Sequence, residues 1–120
     1  MELGLEPGTW DDVLRAAPVL KAMGHPLGIG FSANGDSNDS LFSLLHAYGS
    51  TVQDEEGNVA IKSPATVEAV KTGAAIFQTG MTDEVFIWDS TSNNRFLASR
   101  QGSMILNAVS AIRAVEDQDP

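Results

Sequence analysis

Cysteine is absent from this chain of 120 residues. That excludes a disulfide frame and thiolate chemistry, and it leaves the redox compartment open. Positive charge is scarce: seven Lys and Arg stand against sixteen Asp and Glu, a formal net charge of −9. A sequence-independent grip on nucleic acid or on an anionic membrane needs clustered cations to neutralise phosphate, so neither partner is expected. The acidity reads as a solvated surface. Long apolar runs are missing too, and none approaches the roughly 20 residues that a helical membrane span requires, so no membrane insertion is expected. The opening MELGLEPGTW has neither the basic start nor the apolar core of a secretory signal. As written, the chain is expected to stay where it is made, in the cytoplasm.

Histidine is nearly as rare. His25 and His46 are the two present, and neither stands at metal-ligand spacing from the other or from a pair of carboxylates, so no metal site is expected. His46, among leucines on a helix, reads as a partly buried structural residue. GIGFSA, residues 28–33, begins like a dinucleotide-binding glycine pattern. No strand of useful length precedes it, and no acidic residue follows a helix at the right distance. DSNDS, residues 36–40, alternates oxygens as calcium loops do, but it lacks the central glycine and the closing glutamate. No G-x-S-x-G, Walker loop or Cys–His arrangement occurs. With sixteen carboxylates some pair must fall close by chance, so proximity alone is no sign of a glycosidase. The expectation is a protein without catalysis and without a cofactor.

The sequence does hold helix starts and apolar stripes. Pro7-Gly8 is a turn signal and Thr9 an N-cap, with Asp11 and Asp12 opposing the dipole in the first turn. Trp10, Val13, Leu14, Ala17, Leu20 and Met23 follow at helical spacing, and Gly24 ends the helix. Pro18, which cannot donate to the Leu14 carbonyl, is expected to kink or split it. PLGIGF, residues 26–31, reads as a short buried strand. SANGDSNDS, residues 32–40, reads as a loop whose last members cap an apolar helix of Leu41, Phe42, Leu44, Leu45 and Tyr48, closed at Gly49. Residues 51–62 read as a hairpin turning at DEEGN. Ser63-Pro64 marks another helix start, with Val67, Val70, Ala74 and Phe77 as the stripe and Gly80 as the stop. After MTDEVFIWDSTS come a helix over residues 93–100, the strand SMILN and a last helix over residues 110–115. The expected architecture is a single α+β domain over residues 1–120, mainly helical, with about five helices and a few short strands.

Four stretches in order carry a resemblance. TWDDVLRAAPVLKAMGHPLGIGFS, LFSLLHAYGS, GNVAIKSPATVEAV and NNRFLASRQGSMILN are similar to the second lobe of the extracellular solute-binding proteins of ABC importers, in the family with sugar-binding members like maltose-binding protein. Thr9-Trp10-Asp11, the strand ending at Phe31, Tyr48-Gly49, Ser63-Pro64 with Glu68-Ala69-Val70, and Asn93 through Asn107 fall in the family's order, and residues 9–116 carry the likeness. The resemblance implies one lobe of a type II periplasmic binding protein, non-enzymatic, from a family that is periplasmic or extracellular. It implies an ABC transporter permease as partner only within a full-length receptor. Such receptors hold a sugar between two lobes, where an aromatic ring stacks on the pyranose and amides and carboxylates take its hydroxyls. Carried over, this implies ligand contacts from Asn34, Asp36 and Asn38, from Trp88 and Asp89, and from Asn107 and Ser110. Trp88 reads equally as a core aromatic, Ser92 and Asn93 as helix caps, and Arg95 as a structural partner for a carboxylate.

The departures matter as much. The family's signal peptide, lipid-attachment cysteine and first lobe have no counterpart, and neither does the segment that would follow Asp119-Pro120. Asn107-Ala108-Val109-Ser110 stands where relatives show NGP and an aromatic ring. Half a cleft is then expected, with the strands GIGF and SMILN short of neighbours. Two functions follow from this. One is a carbohydrate-binding domain with some affinity for a small-molecule sugar; the other is an oligomerisation or protein-interaction module derived from the lobe. A freestanding chain is expected to form a homodimer that pairs those edges or buries the uncovered apolar faces, or else to misfold.

Overall fold

The first helix, α1 (Trp10–Ala22), starts on a reciprocal cap. Thr9 Oγ1 accepts from the Asp12 N–H at 3.2 Å while the Asp12 carboxylate accepts from the Thr9 N–H at 3.0 Å, so two otherwise orphaned donors are satisfied. The computed structural model describes residues 8–117; Pro7, Asp119 and Pro120 lie outside them. Helix α1 runs through Pro18 without splitting. Pro18 is on the exposed side, where a carbonyl without its helical donor can turn to solvent.

Strand β1 (Leu27–Gly28) pairs in parallel with β2 (Met104–Ile105), Leu27 opposite Met104 and Gly28 opposite Ile105. The longer strand expected over residues 26–31 is cut to two residues. Beyond Gly28 the backbone turns to a different partner: the Phe31 N–H donates to the Val85 carbonyl at 3.0 Å, within a 3-10 turn over Asp83–Phe86.

The loop expected through Ser40 is instead the start of α2 (Gly35–Ala47). Asn34 is the cap, its Oδ1 accepting from the Ser37 N–H at 2.9 Å. Ser, Asn and Asp suit a first helical turn as well as a loop. The choice falls to Asn34 because its amide also donates to Ser32 Oγ at 2.8 Å and to the Trp88 carbonyl at 3.0 Å, contacts with distant chain that fix the cap in place. The helix ends before Gly49, whose φ of +74° needs no Cβ. Leu44 and Leu45 are buried, whereas His46 is exposed rather than partly buried as expected, because it falls on the face turned from α3. Residues 51–62 form one isolated antiparallel bridge, Gln53 to Val59, rather than a full hairpin. The Asp54 carboxylate organises the turn by accepting from the N–H groups of Glu56 and Asn58. Val59 is exposed, so no apolar face extends the pairing.

Helix α3 (Pro64–Gly80) begins as expected, with Ser63 Oγ accepting from the Thr66 N–H and proline first in line. Its buried face differs from the expected stripe. Ala69, Gly73, Ile76 and Gly80 point inward, while Val67 and Val70 stay about half exposed. Small residues win the inner face because α1 and α2 come so near. A Cβ on Gly80 would lie 2.5 Å from Ala17 Cβ, and one on Gly73 would lie 3.1 Å from Leu44 Cδ2.

Helices α4 (Ser92–Ala98) and α5 (Ser110–Glu116) pack together, and α4 also covers the sheet. The main core gathers Val13, Ala17, Leu27, Ile29, Ile76, Met81 and Val85, and a second cluster holds Leu44, Leu45 and Ala69. Trp10 packs against both and joins them. Among the described residues the architecture is α+β and mainly helical, with five helices and one two-stranded parallel sheet.

Candidate functional site

Of the seven residues that the sequence pointed to, four fall into one polar seam. Asn34 caps α2 and donates to the Trp88 carbonyl. Asp36, in the first turn of α2, accepts from the Asn93 amide at 3.0 Å. The neighbouring Asn94 accepts from the Asn107 amide at 2.5 Å, and Asn107 Oδ1 takes the Ala108 N–H at 2.7 Å. The seam ties the starts of α2 and α4 to the end of β2. Its amides and carboxylate are spent on one another, as befits half-buried polar groups.

Trp88 is half-buried beside the main core, its ring centroid 5.0 Å from that of Phe96. It is a packed aromatic. Asp89 is exposed and organises the start of α4, its carboxylate accepting from the Thr91 N–H at 2.8 Å, the Thr91 hydroxyl at 2.8 Å and the Ser92 hydroxyl at 2.9 Å. The Thr91 backbone and side-chain donors, then Ser92 and Arg95, hold the Asp89 carboxyl well below the usual carboxylate range. Arg95 reaches Asp89 at 3.4 Å, the structural pairing that its chemistry suggested. Asn38 and Ser110 are exposed and stand apart from the seam, on the outer side of α2 and at the first position of α5.

The concave surfaces lie elsewhere. A cleft of about 650 Å³ opens between the start of α1, the end of α2 and β2. Trp10, Asp11, Ile29, Tyr48 and the stretch from Met104 to Leu106 border it. A second, wholly apolar groove of about 270 Å³ runs between α2 and α3, with Leu41, Leu44, Val70, Phe77 and Phe86 along it. Trp10 and Ile29 form a wall common to both. None of the seven sequence-derived residues borders either space. The sequence put Trp10 in an apolar stripe and Tyr48 at a helix end. No local pattern shows that they share a cleft, because that depends on how α1, α2 and β2 come to surround one space.

Two other carboxylates are also held low. Asp12 is lowered chiefly by the Thr9 hydroxyl, with the Gly8 N–H and Arg15 adding to it, and Asp54 chiefly by the Asn58 N–H and amide. Both belong to caps and turns. Among the described residues, no three His, Asp or Glu side chains come together in a way that could hold a metal ion. Comparisons of the chain with protein-family models, with curated proteins and with solved structures found no match.

Proposed function

We propose that this chain is a non-enzymatic association module, built on a lobe of the solute-binding type, that works as a homodimer. The observation that supports the reading is the apolar groove between α2 and α3, bordered by Leu41, Val70 and Phe86 at 39%, 52% and 50% exposure. Contiguous apolar surface of this kind is rare on proteins that act alone. Covering it gains roughly 25 cal/mol for each Å² removed from water. A copy of the chain is the partner that every molecule in solution meets. The residues that the resemblance would direct at a sugar spend their polar groups on the seam and on the α4 cap, which weakens the receptor reading for this surface.

A second reading has its own support. In the larger cleft Trp10 and Tyr48 stand near Asp11 and Ser43, and aromatic rings beside hydrogen-bonding groups are what a carbohydrate requires. A permease of the ABC class would be a partner only where this lobe forms part of a whole receptor.

Light scattering over a wide concentration range, run beside thermal unfolding with a panel of mono- and oligosaccharides, tests both. The expected result is a dimer mass that Val70→Glu converts to monomer, with a melting temperature that no longer rises with protein concentration as the parent's does. A monomer at every concentration would sink the association reading. A saturable rise in melting temperature with one sugar class would favour the carbohydrate reading instead.

A further inference from the structure

We propose that the open edge of β2 is a docking site for an extended peptide strand that carries one basic residue. The proposal goes beyond the association reading and uses a different surface from the apolar groove, so either can fail without the other.

Among the described residues the sheet has two strands, so β2 is paired there on one side only. Outside the ladder with β1, the residues Met104, Ile105 and Leu106 make no backbone hydrogen bond among the described residues. Backbone donors and acceptors left open on a strand edge are a template for another strand. Met104, Ile105 and Leu106 border the cleft of about 650 Å³, where Trp10 and Ile29 supply an apolar surface. A strand sends alternate side chains to opposite faces. Main-chain pairing along β2 would therefore set every second residue of the guest against Trp10 and Ile29, which is how strand addition combines affinity with selection.

The polar side chains argue for a strand over a sugar. Thr9 is held in the α1 cap, and the Tyr48 hydroxyl is engaged with Thr72 at 2.5 Å. Few side-chain groups remain for a ring of hydroxyls, whereas the β2 backbone remains free. Charge defines the guest further. Asp11 is exposed at the cleft and has no hydrogen-bond or ion-pair partner among the described residues. Beside Asp11, in a chain that carries −9 overall, an acidic segment is disfavoured at this cleft, while a Lys or Arg opposite Asp11 is drawn in.

The probe is a fluorescent six-residue peptide with alternating valine and threonine and one terminal lysine, titrated against the full chain by anisotropy and by amide NMR. Saturable binding is expected, with the amides of Met104, Ile105 and Leu106 shifting. Two further peptides carry N-methyl groups on alternate residues, one for each edge; one of the pair is expected to bind at least about tenfold more weakly. Asp11→Asn is expected to weaken the lysine peptide by roughly two- to fivefold and to leave a norleucine analogue unchanged. No binding, equal binding of both N-methylated peptides, or shifts confined to Val70 and Phe86 would overturn the proposal. So would β2 shifts on simple concentration of the chain, which would assign the edge to a second copy, or β2 shifts with a saccharide but not the peptide. A chain that forms the groove-dependent dimer yet ignores the peptide would defeat this proposal alone, while loss of the dimer with the β2 response intact would defeat the homodimer alone.

Discussion

Phe96 has almost no room to move. A Cβ placed on Gly102 would fall 1.8 Å from its Cε1, and one on Gly28 would fall 2.6 Å from its Cδ1. Trp88 closes a further side, with ring centroids 5.0 Å apart. Gly102 is therefore fixed by proximity. Gly102→Ala should destabilise the chain by about 2 kcal/mol or more, as overpacking does. Phe96→Ala should cost about 3 to 5 kcal/mol by leaving a cavity. The test is urea unfolding of both variants and of the pair together. If the ring is the obstacle, Gly102→Ala should add little once Phe96 is gone; costs that simply sum would show that the methyl is rejected for another reason.

Among the elements, α2 depends most on distant chain. Its cap residue Asn34 accepts from Ser37 within the helix and donates to Ser32 and to the Trp88 carbonyl outside it. Asn34→Ala should therefore cost more than the roughly 1 kcal/mol of an ordinary cap, because the Trp88 carbonyl also loses one of its two donors and keeps only the Ser32 hydroxyl. Asn34→Asp keeps the acceptor and loses the donor, so its cost should be intermediate. Thr9→Ala at the start of α1 provides the comparison, since that cap is wholly local. Chemical denaturation of the three variants checks the order; equal costs at Thr9 and Asn34 would show that the long-range bonds contribute nothing. The elements also explain why the apolar stripe of α3 turned outward. Gly80 against Ala17 and Gly73 against Leu44 draw the helices too close for valine at those two contacts, while Ile76 between them fills the core.

For the molecule as a whole, shape and charge act together. Its extents of 48 × 27 × 25 Å and radius of gyration of 15.1 Å exceed the radius of about 13.5 Å expected for a compact chain of this length. Apolar side chains such as Val67, Val70 and Phe86 stay about half exposed, and the proposed association would cover part of that surface. The three carboxylates of Asp12, Asp54 and Asp89 lie low in the folded state. Each stabilises the fold fully above the ordinary carboxylate value of 3.8 and loses that contribution as pH falls below it. The melting temperature should hold nearly level above about pH 5 and drop between about pH 4 and pH 2. Asp89→Asn should melt lower than the parent at neutral pH, and the gap should close on acidification. A gap that is constant with pH would show that the Asp89 charge is not what supports α4.

Local signals settled much of this protein. Thr9 with Asp12, Ser63 with Pro64 and the positive-φ Gly49 set helix boundaries through contacts a few residues long, and such contacts form wherever the chain goes. The mainly helical α+β character with five helices follows from them and from apolar spacing. Other features needed partners far away in the chain. Residues 32–40 became a helix start because Trp88 holds Asn34, and the strands shrank to two residues because each found so short a length of partner. His46 was exposed by the face that α2 turns to α3, and the valines of α3 by how closely its glycines let the helices approach. The sugar-facing set was read from order along the chain. Whether those amides meet a ligand or one another is a matter of spacing in three dimensions, and here tertiary packing brings Asn34 to Trp88, Asp36 to Asn93 and Asn107 to Asn94, while the open surfaces fall to Trp10, Asp11 and the edge of β2.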